Sequence, residues 1–290
     1  MKMIKQVYPV LALVALLVVG CGGSPNVGTQ TKQDLRDSAK VKAATYEGAM
    51  VFYSLPSPLE MAYIVENSGV GYEPNILHKT ELGVRYSTTR SSALNLGIYG
   101  SDLSYSILFN QQQVAIKYLD CIKELSSGLD VSDSISVNRL RDMEENIHDR
   151  EKLKKIVSKT FFHSDALLKE SSRRPTAVMV VTGMWIESLY IATQLSEGKT
   201  GKNPSLTRCV VEQGLVFDDL VGMLSTLKEN EDIAYVMEKI SVIGEDYGKI
   251  KAALGGSLVF TGESLNVDDA IFQALCNDIK AVRDDFTQLF

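Results

Sequence analysis

The chain has 290 residues, of which 45% are hydrophobic, and 30 basic side chains against 36 acidic ones give it a net charge of −6. An acidic surface repels nucleic acid and anionic headgroups, so no phosphate-bearing partner is expected. Four cysteines at wide spacing, with no Cys-x-x-Cys pair, exclude a disulfide scaffold and a zinc ribbon.

The first element is a secretory signal. Lys2 and Lys5 supply positive charge, Val10 to Val19 are apolar throughout, and Gly20-Cys21 closes the segment. A bilayer core needs about 20 apolar residues in a helix, so this run is too short to span. Val18-Val19-Gly20-Cys21 resembles the bacterial lipobox, which implies diacylation of the Cys21 thiol, cleavage before it, and acylation (palmitate or similar) of the new amino terminus. Two or three acyl chains give a stable anchor where one is marginal. Cleavage removes Lys2 and Lys5 from the basic residues, which brings the net charge to about −8. Residues 22–31 are rich in Gly, Pro and small polar side chains and suit a flexible tether. The organisation expected is a signal peptide over 1–20, a tether over 21–32 and one helical domain over 33–290. No Asp follows Cys21, so the inner-membrane retention rule is not met, and the outer membrane is favoured over the inner.

From residue 32 onward the apolar positions recur at helical spacing, and alternating β-branched runs are scarce, so the domain reads as all-α. A first helix over 33–53 stops at Leu55-Pro56. Ser57-Pro58 with Glu60 forms a capping box for the second, which Gly69 to Pro74 ends. The stretch 79–127 has weak points at Gly97 and Gly100, with Ser101-Asp102 able to cap a restart, so two helices or one kinked helix are expected there. A short helix follows over 133–146, and Asp149 caps another over 150–171. Pro175 starts the most apolar helix, 176–196. Asn203-Pro204, Asn230 and Asn266 open the last three, which end near 228, 254 and the C-terminus, with Leu258-Val259-Phe260 as an apolar clip between the last two. About eight to nine helices of this length fit an elongated antiparallel multi-helix bundle or stacked helical hairpins.

The segments 96–105 (Leu-Gly-Ile-Tyr-Gly-Ser-Asp-Leu-Ser-Tyr) and 183–192 (Gly-Met-Trp-Ile-Glu-Ser-Leu-Tyr-Ile-Ala) are similar to those of uncharacterised lipoproteins of Bacteroidetes. That resemblance implies no activity. Asp37-Ser38-Ala39 and Asp133-Ser134-Ile135 match the short O-glycosylation pattern of that phylum, which makes Ser38 and Ser134 candidate acceptors.

Catalytic constellations are weak. Glu145-Asn-Ile-His148 has metal-ligand spacing but lacks the second motif and the further glutamates of a di-iron bundle, so no metal and no cofactor are expected. His163-Ser164-Asp165 are sequential on a helix and cannot form a triad among themselves. Cys121, Cys209 and Cys276 read as core residues rather than reactive thiols. Glu187 is the exception, a carboxylate inside the apolar run 177–192 on a face with Gly183, Tyr190 and Gln194. Unpartnered burial there would cost several kcal/mol, so it must pair, hydrogen-bond or face water, with Arg90 or Arg173 as candidate partners. Tyr99, Gly100, Asp102, Tyr105, Phe109 and Asn110 form a second cluster, either a tight kink or a contact site. The leading reading is a non-enzymatic, membrane-anchored envelope lipoprotein that binds a partner protein or scaffolds a complex. The alternative is a small-ligand binding protein with an interhelical pocket near Glu187, Trp185, Tyr99 and Asp102. Tyr105 and Tyr190 complete the set of candidate contacts.

Overall fold

The computed structural model describes residues 57–129, 137–163, 173–258 and 267–289. The signal, Cys21, the tether, the helix over 33–53, Ser38, Ser134, Ser164-Asp165, Val259-Phe260 and Asn266 lie outside the described residues.

Among the described residues the chain is all-α, a bundle of nine helices and two short 3-10 segments with no strand. The helices are α1 (Pro58–Asn67), α2 (Thr89–Leu108), α3 (Gln112–Gly128), α4 (Val137–Glu145), α5 (Arg150–His163), α6 (Arg174–Leu195), α7 (Pro204–Ser225), α8 (Glu231–Ala253) and α9 (Asp269–Phe286). The 3-10 segments, Pro74–Ile76 and Thr80–Arg85, lie between α1 and α2.

Local chemistry sets most of the starts. Ser57 and Glu60 exchange side-chain-to-backbone hydrogen bonds at 2.7 and 3.2 Å, and Pro58 occupies the first turn, where its missing N–H costs nothing. Asp149, Asn203 and Asn230 cap α5, α7 and α8 by accepting from Lys152, Leu206 and Ile233 N–H at 3.0, 3.2 and 3.1 Å. The last helix is capped by Asp268, which accepts from Ala270 N–H at 2.8 Å.

The expected break at Gly97 and Gly100 does not occur. Residues 80–85 are 3-10, the helix begins instead at the Thr88 cap, and α2 runs unbroken through both glycines to Leu108. Its end is set by Asn110, at φ 57°, with Gln111 N–H reaching Ser106 C=O at 2.8 Å and Asn110 N–H reaching Ile107 C=O at 3.1 Å. This is a Schellman closure in which Asn takes the left-handed position usually given to Gly. Gly97 serves close packing: a Cβ there would sit 2.1 Å from Val180 C=O of α6, and one at Gly183 would sit 2.0 Å from Leu94 C=O of α2. The two backbones therefore touch, and that contact offsets the roughly 1 kcal/mol that a mid-helix Gly costs relative to Ala.

Helix α6 is the centre of the bundle, packed against α2, α7 and α9 and flanked by α1 and α8. It is long and apolar enough to cross a membrane, but 89% of its apolar window is buried by these neighbours. A helix surrounded by helices has no polar face to offer, which explains its composition. Trp185 packs on Phe217 of α7 at 5.8 Å, Phe217 on Tyr247 of α8 at 5.9 Å, and Trp185 Nε1–H donates to Gln213 at 3.1 Å.

Candidate functional site

Three charged side chains converge in the core. Asp102 comes from α2, Glu187 from α6 and Arg283 from α9, and the two acids have no solvent exposure. Arg283 donates from Nε and an Nη to the two Glu187 oxygens at 2.9 and 3.2 Å, and its guanidinium lies 4.7 Å from the Tyr190 ring centroid. A fork of this kind satisfies both carboxylate oxygens at once. The partner of Glu187 is thus neither Arg90, which pairs with Asp232 at 2.9 Å, nor Arg173, but the guanidinium of the last helix.

Asp102 Oδ2 accepts from the His78 backbone N–H at 3.1 Å, while Oδ1 is buried with no donor. The Asp102 carboxyl instead lies within hydrogen-bonding reach of Glu187. Two ionised acids against one guanidinium would leave a net negative charge in a sealed, low-dielectric site. A proton on Asp102 removes that charge and turns its orphaned oxygen into a donor to Glu187. Burial, followed by the Glu187 charge, drives the Asp102 acid well above the usual carboxylate range. Burial also raises Glu187, with Arg283 opposing it, so the pair holds one proton between two sites, and Asp102 is the better home for it because Glu187 keeps the fork.

His78 closes the network from outside. Its Nε2 is 2.7 Å from Tyr86 Oη, and Tyr86 spends its own proton on Thr287 C=O at 3.0 Å, so Nε2 carries the hydrogen. Burial, assisted by the Arg283 and Lys79 charges, depresses the His78 imidazole to about 3, and the ring is neutral. Tyr118 Oη–H donates to His78 C=O at 2.9 Å. A histidine, two acids and several tyrosines in one place resemble an acid–base centre, but the two acids are fully buried, and of this network it is Tyr86 that reaches the rim of a surface indentation. The arrangement can hold and share a proton between two buried carboxyls.

All six residues expected as contacts, Tyr99, Asp102, Tyr105, Trp185, Glu187 and Tyr190, are buried. Tyr99 Oη–H donates to Lys79 C=O at 2.9 Å, Tyr105 Oη accepts from Glu73 N–H at 3.0 Å, and Trp185 Nε1–H donates to Gln213 at 3.1 Å, so these polar atoms are used inside the fold. Asp102 and Glu187 do meet, as the pocket reading requires, and they meet carboxyl to carboxyl with no solvent exposure. The indentation lined by Arg85, Arg90, Tyr235, Asp285 and Gln288 reaches neither acid.

Glu145 and His148 diverge, the first toward Arg141 at 3.8 Å and the second toward Gln112 at 2.9 Å. Cys121, Cys209 and Cys276 are buried and in no disulfide, and burial raises the Cys121 and Cys276 thiols to about 11 and 12. Arg283 was missed by sequence reasoning, although a signal existed: it falls on the apolar face of α9 with Phe272, Cys276, Ile279 and Phe286. Comparison with protein-family models, curated proteins and solved structures finds no match to this chain.

Proposed function

We propose that the protein is a lipid-anchored component of the bacterial cell envelope whose helical domain binds a partner protein without catalysing a reaction. The observation that carries this reading is Val18-Val19-Gly20-Cys21 at the end of an apolar run, followed by a Gly- and Pro-rich tether. Acylation of Cys21 would hold the domain at a membrane surface without a spanning helix. The internal chemistry favours a binding module over an enzyme, because among the described residues the two acids beside His78 are fully buried and paired with each other and with Arg283. It also weakens the small-ligand alternative, since the polar groups that would line its pocket are consumed by one another.

The test is metabolic labelling with a clickable fatty acid. The wild-type chain should be labelled and sediment with membranes, and Cys21→Ser should lose both properties; a labelled Cys21→Ser chain refutes the anchor. Photo-crosslinkers placed at Val84 and Leu215, the exposed large hydrophobics among the described residues, should then trap one stoichiometric envelope protein.

A further inference from the structure

Residues 69–88 join α1 to α2, carry two 3-10 segments of their own and pack against α3. Side chains of α2 and α3 hold this segment by its backbone: Tyr105 accepts from Glu73 N–H, Asp102 accepts from His78 N–H, and Tyr118, Tyr99 and Cys121 donate to the carbonyls of His78, Lys79 and Thr80. Asp102 is the one carboxyl among these five anchors. It is also the anchor whose second oxygen has no donor and lies against Glu187, whose own oxygens are taken by Arg283.

We propose that residues 69–88 form a strap locked by the single proton held between Asp102 and Glu187, and that loss of this proton at alkaline pH lifts the strap while the helices beneath stay folded. A second ionised acid in this site must be solvated, and water has two ways in. Parting α2 from α6 would break the backbone contact at Gly97 and Gly183, where no side chain intervenes. Lifting the strap breaks its side-chain-to-backbone bonds and exposes Leu77, His78 and Tyr86, but it leaves the helix–helix contacts intact and uncovers Asp102 directly, so this route opens first.

The other groups facing the pair leave the proton as the trigger. Arg283 stays charged and His78 stays neutral through this range. Tyr86, Tyr99, Tyr118 and Tyr190 are all pushed up by burial and keep their protons. Lys79, Arg85, Lys280 and Asp284 lie further out and act only through their charge.

The test is amide hydrogen exchange of the purified full chain, read by mass spectrometry from pH 7 to pH 10 and corrected for intrinsic base catalysis. Protection over 69–88 should fall by up to about tenfold per pH unit once the proton is lost, while α6 to α8 keep theirs. In Asp102→Asn the carbonyl accepts from His78 N–H and the amide donates to Glu187, so strap protection should be independent of pH. A second variant, Glu187→Gln, leaves one acid for one guanidinium and should behave the same way. Strap protection in the wild type that tracks the helices, or a pH response retained in both variants, overturns the proposal. Failure of Asp102→Asn to fold would also overturn it, because the carboxamide reproduces the bonding of the protonated acid.

Discussion

Replacing Arg283 by Met tests whether the buried fork organises the core. The side chain is about 10% exposed, and methionine fills much of the same volume while removing the charge, both bonds to Glu187 and the contact with the Tyr190 face. Breaking a buried ion pair from one side costs about 3–5 kcal/mol, because the surviving charge is left without compensation. At roughly 2–4 °C per kcal/mol for a domain of this size, the midpoint of thermal unfolding should drop by about 6–20 °C. The sign of the pH dependence is fixed as well. Without Arg283 the folded-state Glu187 is raised above its unfolded value, so its penalty is largest at high pH and shrinks as the pH falls and the acid protonates. Circular dichroism melts at pH 8 and pH 5 on wild type and variant measure both effects. A deficit under about 1 kcal/mol, or one that grows toward acid, would mean that the fork is incidental to the fold.

Glycine substitutions along α2 separate packing from propensity. Gly97→Ala places a Cβ 2.1 Å from Val180 C=O and should destabilise by about 1–3 kcal/mol in urea unfolding, despite alanine's better helix propensity. Gly100→Ala meets only the flexible end of Met184 at 3.5 Å and should stabilise by up to about 1 kcal/mol; equal effects at the two sites would contradict the backbone contact. His78, depressed to about 3 when folded and near 6.5 when unfolded, contributes stability that is complete above pH 6.5 and lost as the pH falls toward 3, with a slope of up to about 1.4 kcal/mol per pH unit. Asp102 has the opposite slope above about pH 4, since its raised acid keeps a proton that the unfolded chain releases. His78→Gln should therefore leave a stability that declines from pH 4.5 to 6.5 where the wild type is nearly flat, and an unchanged profile in urea midpoints would refute the neutral, buried imidazole.

Much of the fold was legible because its signals are local. Ser57, Asp149, Asn203 and Asn230 cap helices where a short polar side chain followed by helical spacing placed them. The all-α class followed from the period alone. Glycine was the ambiguous letter: at Gly97 its missing Cβ admits a neighbouring backbone, and nothing in the surrounding sequence distinguishes that use from a kink. Asn110, whose short amide side chain tolerates the left-handed region, was the real break. The candidate site was half legible. Glu187 stood out as an acid among apolar residues, and Asp102 was read both as a cap and, in the pocket alternative, as a neighbour of Glu187. The guanidinium that joins them was hidden, because Arg283 comes from a third helix far away in sequence, and no local rule says which faces will be joined. His78 lies just ahead of a stretch expected to be helical from residue 79 that is instead 3-10 over Thr80–Arg85, so it could be placed only once α2 and α3 were beneath it.

The sharing of one proton by Asp102 and Glu187 in the buried core can be read by carbon NMR of side-chain-labelled aspartate, with the Asp102 resonance assigned by its loss in Asp102→Asn. The Asp102 carboxyl should remain at its protonated position from pH 3 through neutrality. A resonance that titrates near the ordinary aspartate value of about 3.9 would contradict it, and with it the neutral core and the proton-locked strap.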